Sequence, residues 1–559
     1  MSLKSSFRPL TAALALGMAL TCVGSQAEQR PFGGRRPPNV VLIITDDQGY
    51  GDISLHGNPV LKTPNLDRLG TEGVRLTRFC VNPVCSPTRS SLMTGRYYYR
   101  TGVVDTYLGR SMMHPDEVTL PELLKQKGYR TGIFGKWHLG DNYPLRAIDQ
   151  GFDESLVCSG GGITQPSDPP GNHYFDPILK KNGRAVKSKG YCTDVFTGGA
   201  LEFIQTNRKR PFFCYLATNA PHDPLEVDDQ YVAPFRQAGV DERTSKVYGM
   251  VKNIDDNVGR LLKRLSDLNL DRDTLVMFMT DNGPAGQRFN AGFRGAKGTV
   301  YEGGIRTACF MRWPGTLFPG TVDRQAAHID LTPTLLELCG VALPHSVAVD
   351  GRSLAPLLKD PRAQWPDRTL FFQWHRGDRA IPFQSSAVRT DRYKLVNGKE
   401  LFDLVQDPGE RKDISGQQRD VVSRLRRQYL AWYRDVAATR GFEPPRIYLG
   451  SPHENPTTLT RQDWRGPDAG WTPASLGYWE VRVDRGGDYR ITTRVTPASV
   501  ARRIRLKVGA VEAASELPAQ AEQVVFPTLR LAAGDARLEA EITGGARPVG
   551  VNYVDVERR

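Results

Sequence analysis

The chain has 559 residues, 39% hydrophobic and 24% charged, an ordinary globular composition that excludes a disordered chain and leaves room for more than one domain. Its formal charge of +13 attracts polyanions. No basic run or nucleic-acid motif accompanies the charge, so an acidic small molecule or polysaccharide fits it better than DNA or RNA. From the N-terminus, Lys4 and Arg8 precede the apolar run "LTAALALGMALTCVG" and a small-residue site ending at Ala27, which predicts a signal peptide over 1–27. The run is short for a membrane span and no second one follows. Export to the periplasm or medium is expected, without a stable membrane span. Thr21 is larger than the residue a lipoprotein site prefers before Cys22. Of the eight cysteines, the seven beyond the leader are too sparse for a disulfide scaffold and show no zinc spacing. Their odd number leaves at least one without an internal partner.

"NVVLIITDDQGYGD" begins the folded part with a continuous apolar run ending in two aspartates, as a strand buried on both faces would. "YRTGIFGKWHLG", "PFFCYLATNAPHDP" and "TLVMFMTDNGPAG" read as further short strands, ending near Lys136 and His138, before His222, and at Asp281 and Asn282. Helical stretches lie between, including "TLPELLKQKG" and a long apolar stripe from about Ser245 to Leu268. Alternating strands and helices predict an α/β domain over 38–344, with a mostly parallel central sheet covered by helices on both faces. After Pro344, "RTLFFQW", "SAVRTDRYKLV" and "ELFDL" read as short antiparallel strands, closed by a helix near Val421–Val436. They form a small antiparallel C-terminal subdomain over 345–440. From 451 to 559 alternating segments such as "GYWEVRV" and "RIRLKVG" predict an appended all-β sandwich. Charges nearly balance there, so the positive excess lies before it. Trp464, Trp471, Tyr478 and Trp479 are its candidate platforms for stacking on sugar rings, or else core residues.

Four strands each run into polar residues at the end where such sheets bind ligands. Asp46, Asp47, Asp281 and Asn282 are short oxygen donors just past two of them. Three carboxylates so placed call for a cation, and hard oxygen donors favour Ca2+, with Mg2+ as the fallback, over zinc. Lys136 and His138 share a face if their strand continues. His222 follows another strand, and Lys297 sits in a glycine-rich loop. Lysines and histidines beside a cation can hold a tetrahedral oxyanion and protonate a leaving group.

"VCSPTRSSLMTGR" poses the sharpest question. Pro87 suits the first turn of a helix running to Thr94, whose N-terminus would face Cys85 and favour anions there. A disulfide would waste that setting, whereas a thiolate fits it.

"PVCSPTRSSLMTG" resembles the sulfatase signature throughout. "GYRTGIFGKWH" is similar to the second signature, with Phe134 where a smaller aliphatic residue is usual. "TDDQGYGD", "NAPHDP", "MTDNG" and "KGTVYEGGIR" follow in the family's order, so the resemblance spans roughly 38–440. It implies that a maturation enzyme oxidises Cys85 to formylglycine, whose hydrate attacks sulfur and then expels sulfate. It further implies one Ca2+ on Asp46, Asp47, Asp281, Asn282 and the modified Cys85. Arg89 and His138 would hold the hydrated aldehyde, His138 as a candidate base. Lys136, His222 and Lys297 would contact sulfate, with His222 or Lys297 protonating the departing alcohol. The implied substrate is a sulfated glycan or a small aryl sulfate. The alternatives are a phosphodiesterase or phosphonate hydrolase of the same superfamily, and a non-catalytic glycan-binding protein, which would have damaged catalytic positions.

Overall fold

Every residue of β1 (Asn39–Thr45) is buried, and its side chains divide between two cores. Val40, Leu42 and Ile44 enter one, while Val41 and Ile43 enter the other. That division explains the unbroken apolar run: strand side chains alternate, and here both faces are covered. The structure, a computed structural model, describes residues 36–559; the signal peptide expected at 1–27 lies outside them. Among the described residues no helix is long and apolar enough to cross a membrane.

The remaining strands of the main sheet are β2 (Val74–Cys80), β3 (Arg130–Lys136), β4 (Glu154–Cys158), β5 (Ile178–Lys181), β6 (Arg184–Lys187), β7 (Phe212–Ala217), β8 (Thr274–Thr280), β9 (Cys309–Arg312) and β10 (Gly320–Ala327). They run in the order β10-β2-β9-β8-β1-β7-β3-β4-β5-β6. The centre, β8-β1-β7-β3-β4, is parallel, and β5, β6 and β9 pair antiparallel. The chain reverses its strand order around β1, where open α/β sheets form their ligand crevice. One face packs on the Leu331–Leu338 helix through Leu331 and Leu335. The other receives Phe196 and Phe203 of the Cys192–Asn207 helix, and Met250, Ile254, Val258 and Leu261 of the Glu242–Asp267 helix. The α/β expectation therefore holds.

Four antiparallel strands follow: β11 (Leu370–Gln373), β12 (Ser386–Arg389), β13 (Tyr393–Val396) and β14 (Glu400–Asp403). Leu425, Tyr429, Trp432 and Val436 of the Arg419–Ala438 helix pack on them as one helical stripe. Glu302, fully buried beside the glycine-rich loop, receives hydrogen bonds from Arg389 and Lys394. This ties the small sheet to the loop that carries Lys297.

Two further sheets face each other through Trp479, Val481, Ile491, Ile504, Leu506, Val554 and Val556. The first strand, Ile447–Leu449, joins this sandwich by pairing with Tyr478–Val483, so it begins ahead of residue 451. Trp464 and Trp479 are 0% exposed; both are core residues and neither offers a stacking platform. Tyr478 is half-buried beneath the Arg537 guanidinium, 3.8 Å from its ring centre. Only Trp471 of the four keeps an open face, at 40% exposure.

The sandwich also shares a core with the α/β part. Leu108, Met112 and Leu145 are buried in it, Asp378 pairs with both Arg110 and Arg465, and Arg465 Nη1 donates to the Gly109 carbonyl at 2.8 Å. Each of the three apolar side chains contributes about 1.5–3 kcal/mol through burial. Removing residues 451–559 is therefore expected to lower the melting temperature and promote aggregation. An unchanged thermal melt of the truncated chain would show that the sandwich is a detachable appendage.

Candidate active site

Strand register assembles the acidic residues. β1 and β8 pair with Thr45 opposite Thr280, and β1 and β7 with Ile44 opposite Ala217. Backbone bonds continue past the strands, from Asp281 N to Thr45 O at 3.1 Å and from Asp46 N to Ala220 O at 3.2 Å. Asp46, Asp47, Asp281 and Asn282 consequently emerge side by side, each at most 2% exposed. Asp47 has a left-handed backbone (φ 64°), a strained conformation for a non-glycine residue of the kind that clusters at functional sites.

Each carboxylate has its own cation. Lys136, the last residue of β3, donates to Asp46 Oδ2 at 2.6 Å. Lys297 lies 2.6 Å from Asp47 Oδ1. Arg89 donates from Nε and Nη2 to Asp281 Oδ2 at 3.1 and 2.8 Å, and from Nη1 to the Lys136 carbonyl at 3.0 Å. Arg89 is thus anchored on Asp281, and its charge also acts on Cys85. Asn282 donates to Asp47 Oδ1 at 2.8 Å. Two oxygens remain: Asp46 Oδ1 and Asn282 Oδ1 are buried with no hydrogen-bond partner. Donor atoms of Asp46, Cys85 and Asp281 lie within 4.8 Å of one another, as do those of Asp46, Asp47 and His222. Orphaned, buried oxygens at that spacing fit a hard cation.

The electrostatics agree. Burial opposes the charge of Asp47, but Lys297 and His222 hold its pKa below the ordinary value. Asp281 is raised to about 6 by burial and by Asp46 nearby, despite Arg89. Burial works against Lys297, yet Asp47 keeps its pKa above normal, so it is protonated at neutral pH.

Cys85 opens the Cys85–Thr94 helix, two residues earlier than the helix expected from Pro87. It is 2% exposed. Burial pushes the thiol pKa up, against the pull of Lys136 and Lys297. The helix N-terminus and its lysines therefore do not make Cys85 a thiolate, and the thiolate option loses its basis.

The two histidines present different faces. β3 ends at Lys136 and His138 has φ 62°, so the strand alternation expected to align them breaks. The left-handed turn still delivers His138 to the site. Its Nε2 lies 2.7 Å from the Thr106 carbonyl, which can only accept, so Nε2 carries the proton. Nδ1 is buried without a partner and keeps its lone pair. Burial, then Lys136, hold its pKa well below normal. His222 Nδ1 donates to the Asp223 carbonyl at 2.6 Å, and burial and Lys297 lower its pKa to about 4. Both imidazoles are neutral at pH 7. A Cβ on Gly161 would stand 2.5 Å from His138 Cε1, so the glycine-rich loop before Gln165 must carry no side chain there.

Cys85, His138, His222 and Lys297 line a cavity of about 220 Å³, together with Thr106, Tyr107, Gln165, Arg376 and Trp471. Lys136 and Arg89 stand behind it, buried against Asp46 and Asp281. A family model described as Sulfatase matches residues 38–341. The chain belongs to the sulfatase family. A second, "N-sulphoglucosamine sulphohydrolase, C-terminal", matches residues 294–434. This sulfatase is 34% identical to the N-acetylgalactosamine-6-sulfatase of Mus musculus over 441 residues, 73% of this chain and 81% of the relative. It is 32% identical to arylsulfatase A of Homo sapiens, over 79% of this chain and 94% of that one. Among solved structures, Ps i-CgsB in complex with k-i-k-neocarrahexaose is 29% identical, with a TM-score of 0.65, covering 72% of this chain and 93% of that one. The sulfatase is an enzyme hydrolysing sulfate esters.

Thr106, Tyr107, Gln165 and Arg376 carried no signal of their own in the sequence; they come from loops far apart that only the fold brings together. All seven cysteines of the described residues are free and buried. In protein carrying an unmodified Cys85, a disulfide-exchange reagent is expected to find no fast-reacting thiol until the fold is denatured. A rapid native reaction abolished by Cys85→Ala would contradict the raised thiol pKa.

Proposed function

We propose that this sulfatase removes sulfate from a galactose- or N-acetylgalactosamine-type sugar, after conversion of Cys85 to formylglycine and with one Ca2+ held by Asp46, Asp47, Asp281, Asn282 and the modified Cys85. The observation that carries the reading is a buried Cys85 lining a small cavity with Lys297, close to Asp46 and Asp281, where the Asp46 and Asn282 oxygens lack partners and Lys136 and Arg89 stand behind. The sugar class rests on the N-acetylgalactosamine-6-sulfatase relatives and the neocarrahexaose bound by Ps i-CgsB. Bound among these oxygens, Ca2+ supplies a Lewis-acid charge that screens the carboxylates and polarises sulfate. Formylglycine supplies, as its hydrate, two hydroxyls on one carbon, where a serine would supply one.

The chain's own groups do the rest. His138, with Nε2–H fixed on Thr106, offers Nδ1 as the base. Lys136 keeps its ammonium on Asp46 and, with Lys297, makes the cavity floor attractive to a sulfate oxygen. Lys297 is the proton source for the departing alcohol, because it holds a proton at pH 7 and His222, with a pKa of about 4, does not. His222 then accepts hydrogen bonds through Nε2. Arg89 is a positioning residue that fixes Asp281. Since Cys85 is 2% exposed in the folded chain, its maturation enzyme acts on the unfolded Cys-Ser-Pro-Thr-Arg segment. The chain is then exported through the leader.

Wild-type protein should turn over an aryl sulfate far faster than an aryl phosphodiester. The reverse preference would make it a phosphodiesterase, and turnover of neither, a binding protein. Chelation should abolish turnover and lower the melting temperature, with Ca2+ restoring both. Stoichiometric zinc without calcium in active enzyme would refute the ion assignment.

A further inference from the structure

Residues 447–558 lie beyond both family models, which end at residues 341 and 434, yet one of them reaches the reacting centre. Trp471 shares the cavity with Cys85, His138 and Lys297. Its ring meets Tyr107 edge-on, at 5.4 Å between centres and 84° between planes. The Arg376 guanidinium lies 4.4 Å from the Tyr107 ring centre and 4.9 Å from that of Trp374. Arg376 Nη1 and Trp374 Nε1 both donate to the fully buried Asp105, at 3.0–3.1 Å. Trp471 therefore ends a fixed wall of aromatic and cationic groups above the cysteine. Edge-on rings and guanidinium–ring stacking hold such a wall without mobile contacts.

On its other side Trp471 lines a groove of about 450 Å³, with Pro166 and Pro170 from the α/β part and Thr496, Arg502 and Tyr553 from the sandwich. The two cavities adjoin at this one side chain. Arg502 has no carboxylate partner among the described residues: its Nη2 contacts only the Thr496 carbonyl at 3.5 Å, and its Nε has no partner. Arg461, deeper in the wall, bonds only to the carbonyls of Val551, Thr472 and Gly550. The groove is thus locally positive although the sandwich as a whole is nearly neutral. The cavity over Cys85 is below the ~300–1,000 Å³ of ordinary ligand pockets. It has room for a small group only, so any longer substrate must extend outside it.

We propose that the sandwich completes the substrate site of this enzyme: Trp471 stacks on the sugar next to the sulfated one, and the glycan continues into the groove, where Arg502 meets a further sulfate or carboxylate. An open aromatic face suits a sugar ring, and a guanidinium without an acidic partner suits an oxyanion. The proposal rests on the sulfated-sugar reading above. It makes the enzyme selective for chain length, and makes the sandwich a part of the active site in place of a detached glycan binder.

The test compares N-acetylgalactosamine 6-sulfate with a sulfated tetrasaccharide that ends in it. Wild-type enzyme should show the higher kcat/KM on the tetrasaccharide. Trp471→Ala and Arg502→Ala should each cut that ratio by about tenfold, the scale of one good interface side chain, and Trp471→Phe should retain most of it. Thermal melts establish that the variants fold; at 40% exposure, Trp471 can be replaced without opening a core. In a Cys85→Ala background, calorimetry should show tetrasaccharide affinity falling by a similar factor with either groove variant. An unchanged ratio and unchanged affinity would overturn the proposal. If wild-type enzyme releases no sulfate from either substrate while the Cys85→Ala chain keeps a Trp471-dependent affinity, the N-acetylgalactosamine 6-sulfate reading fails and the groove stands.

Discussion

Three carboxylates, Asp46, Asp47 and Asp281, are held together out of water at the ends of two adjacent strands, and their mutual repulsion governs the architecture around them. Buried charges persist only when paired. Lys136, Lys297 and Arg89 supply the pairs from a third strand, a glycine-rich loop and the helix of the Cys85 signature. The parallel register of β1 with β7 and β8 brings these segments to one level. Two oxygens are still left without partners, and these are what the proposed cation would take up, with an anion facing it. A sulfate ester is such an anion.

That balance also assigns the protons. The lysines keep theirs because carboxylates surround them, and the histidines lose theirs because burial and the lysines disfavour a further positive charge. A neutral His138 with a fixed tautomer can take a proton, and a charged Lys297 can give one. The same burial keeps Cys85 a thiol. As a nucleophile the unmodified residue is poor, which is why the proposed mechanism assigns the attack to a modified side chain.

Much of this was legible in the sequence where one strand or motif carried it. The runs that became β1, β7 and β8 are almost wholly apolar because both faces of the sheet are covered, and acidic residues directly follow β1 and β8. β2, with half-buried polar positions among its apolar ones, the short β4–β6 and β9, and the longer but largely polar β10 have no such run; they became strands through pairing with neighbours. Composition could not separate Trp471 from Trp464, since both lie in polar loop-like stretches, and only packing decides which is core; Trp479 sits in an alternating strand segment, whose one face is buried. For the same reason Thr106, Tyr107 and Arg376 left no mark in the sequence, and Gln165 stood out only through its glycine-rich loop. The left-handed backbone at Asp47 and His138 is set by surrounding packing and leaves no mark on local residue type.

The central claim is that chemistry at this site requires Cys85 in an oxidised form. Peptide mass spectrometry of active enzyme, with the occupancy of the modified Cys85 peptide followed across preparations of differing specific activity, tests it most directly. The account expects formylglycine at Cys85 and a specific activity proportional to its occupancy, extrapolating to zero with unmodified cysteine. Full activity in a preparation containing only the unmodified thiol would contradict it.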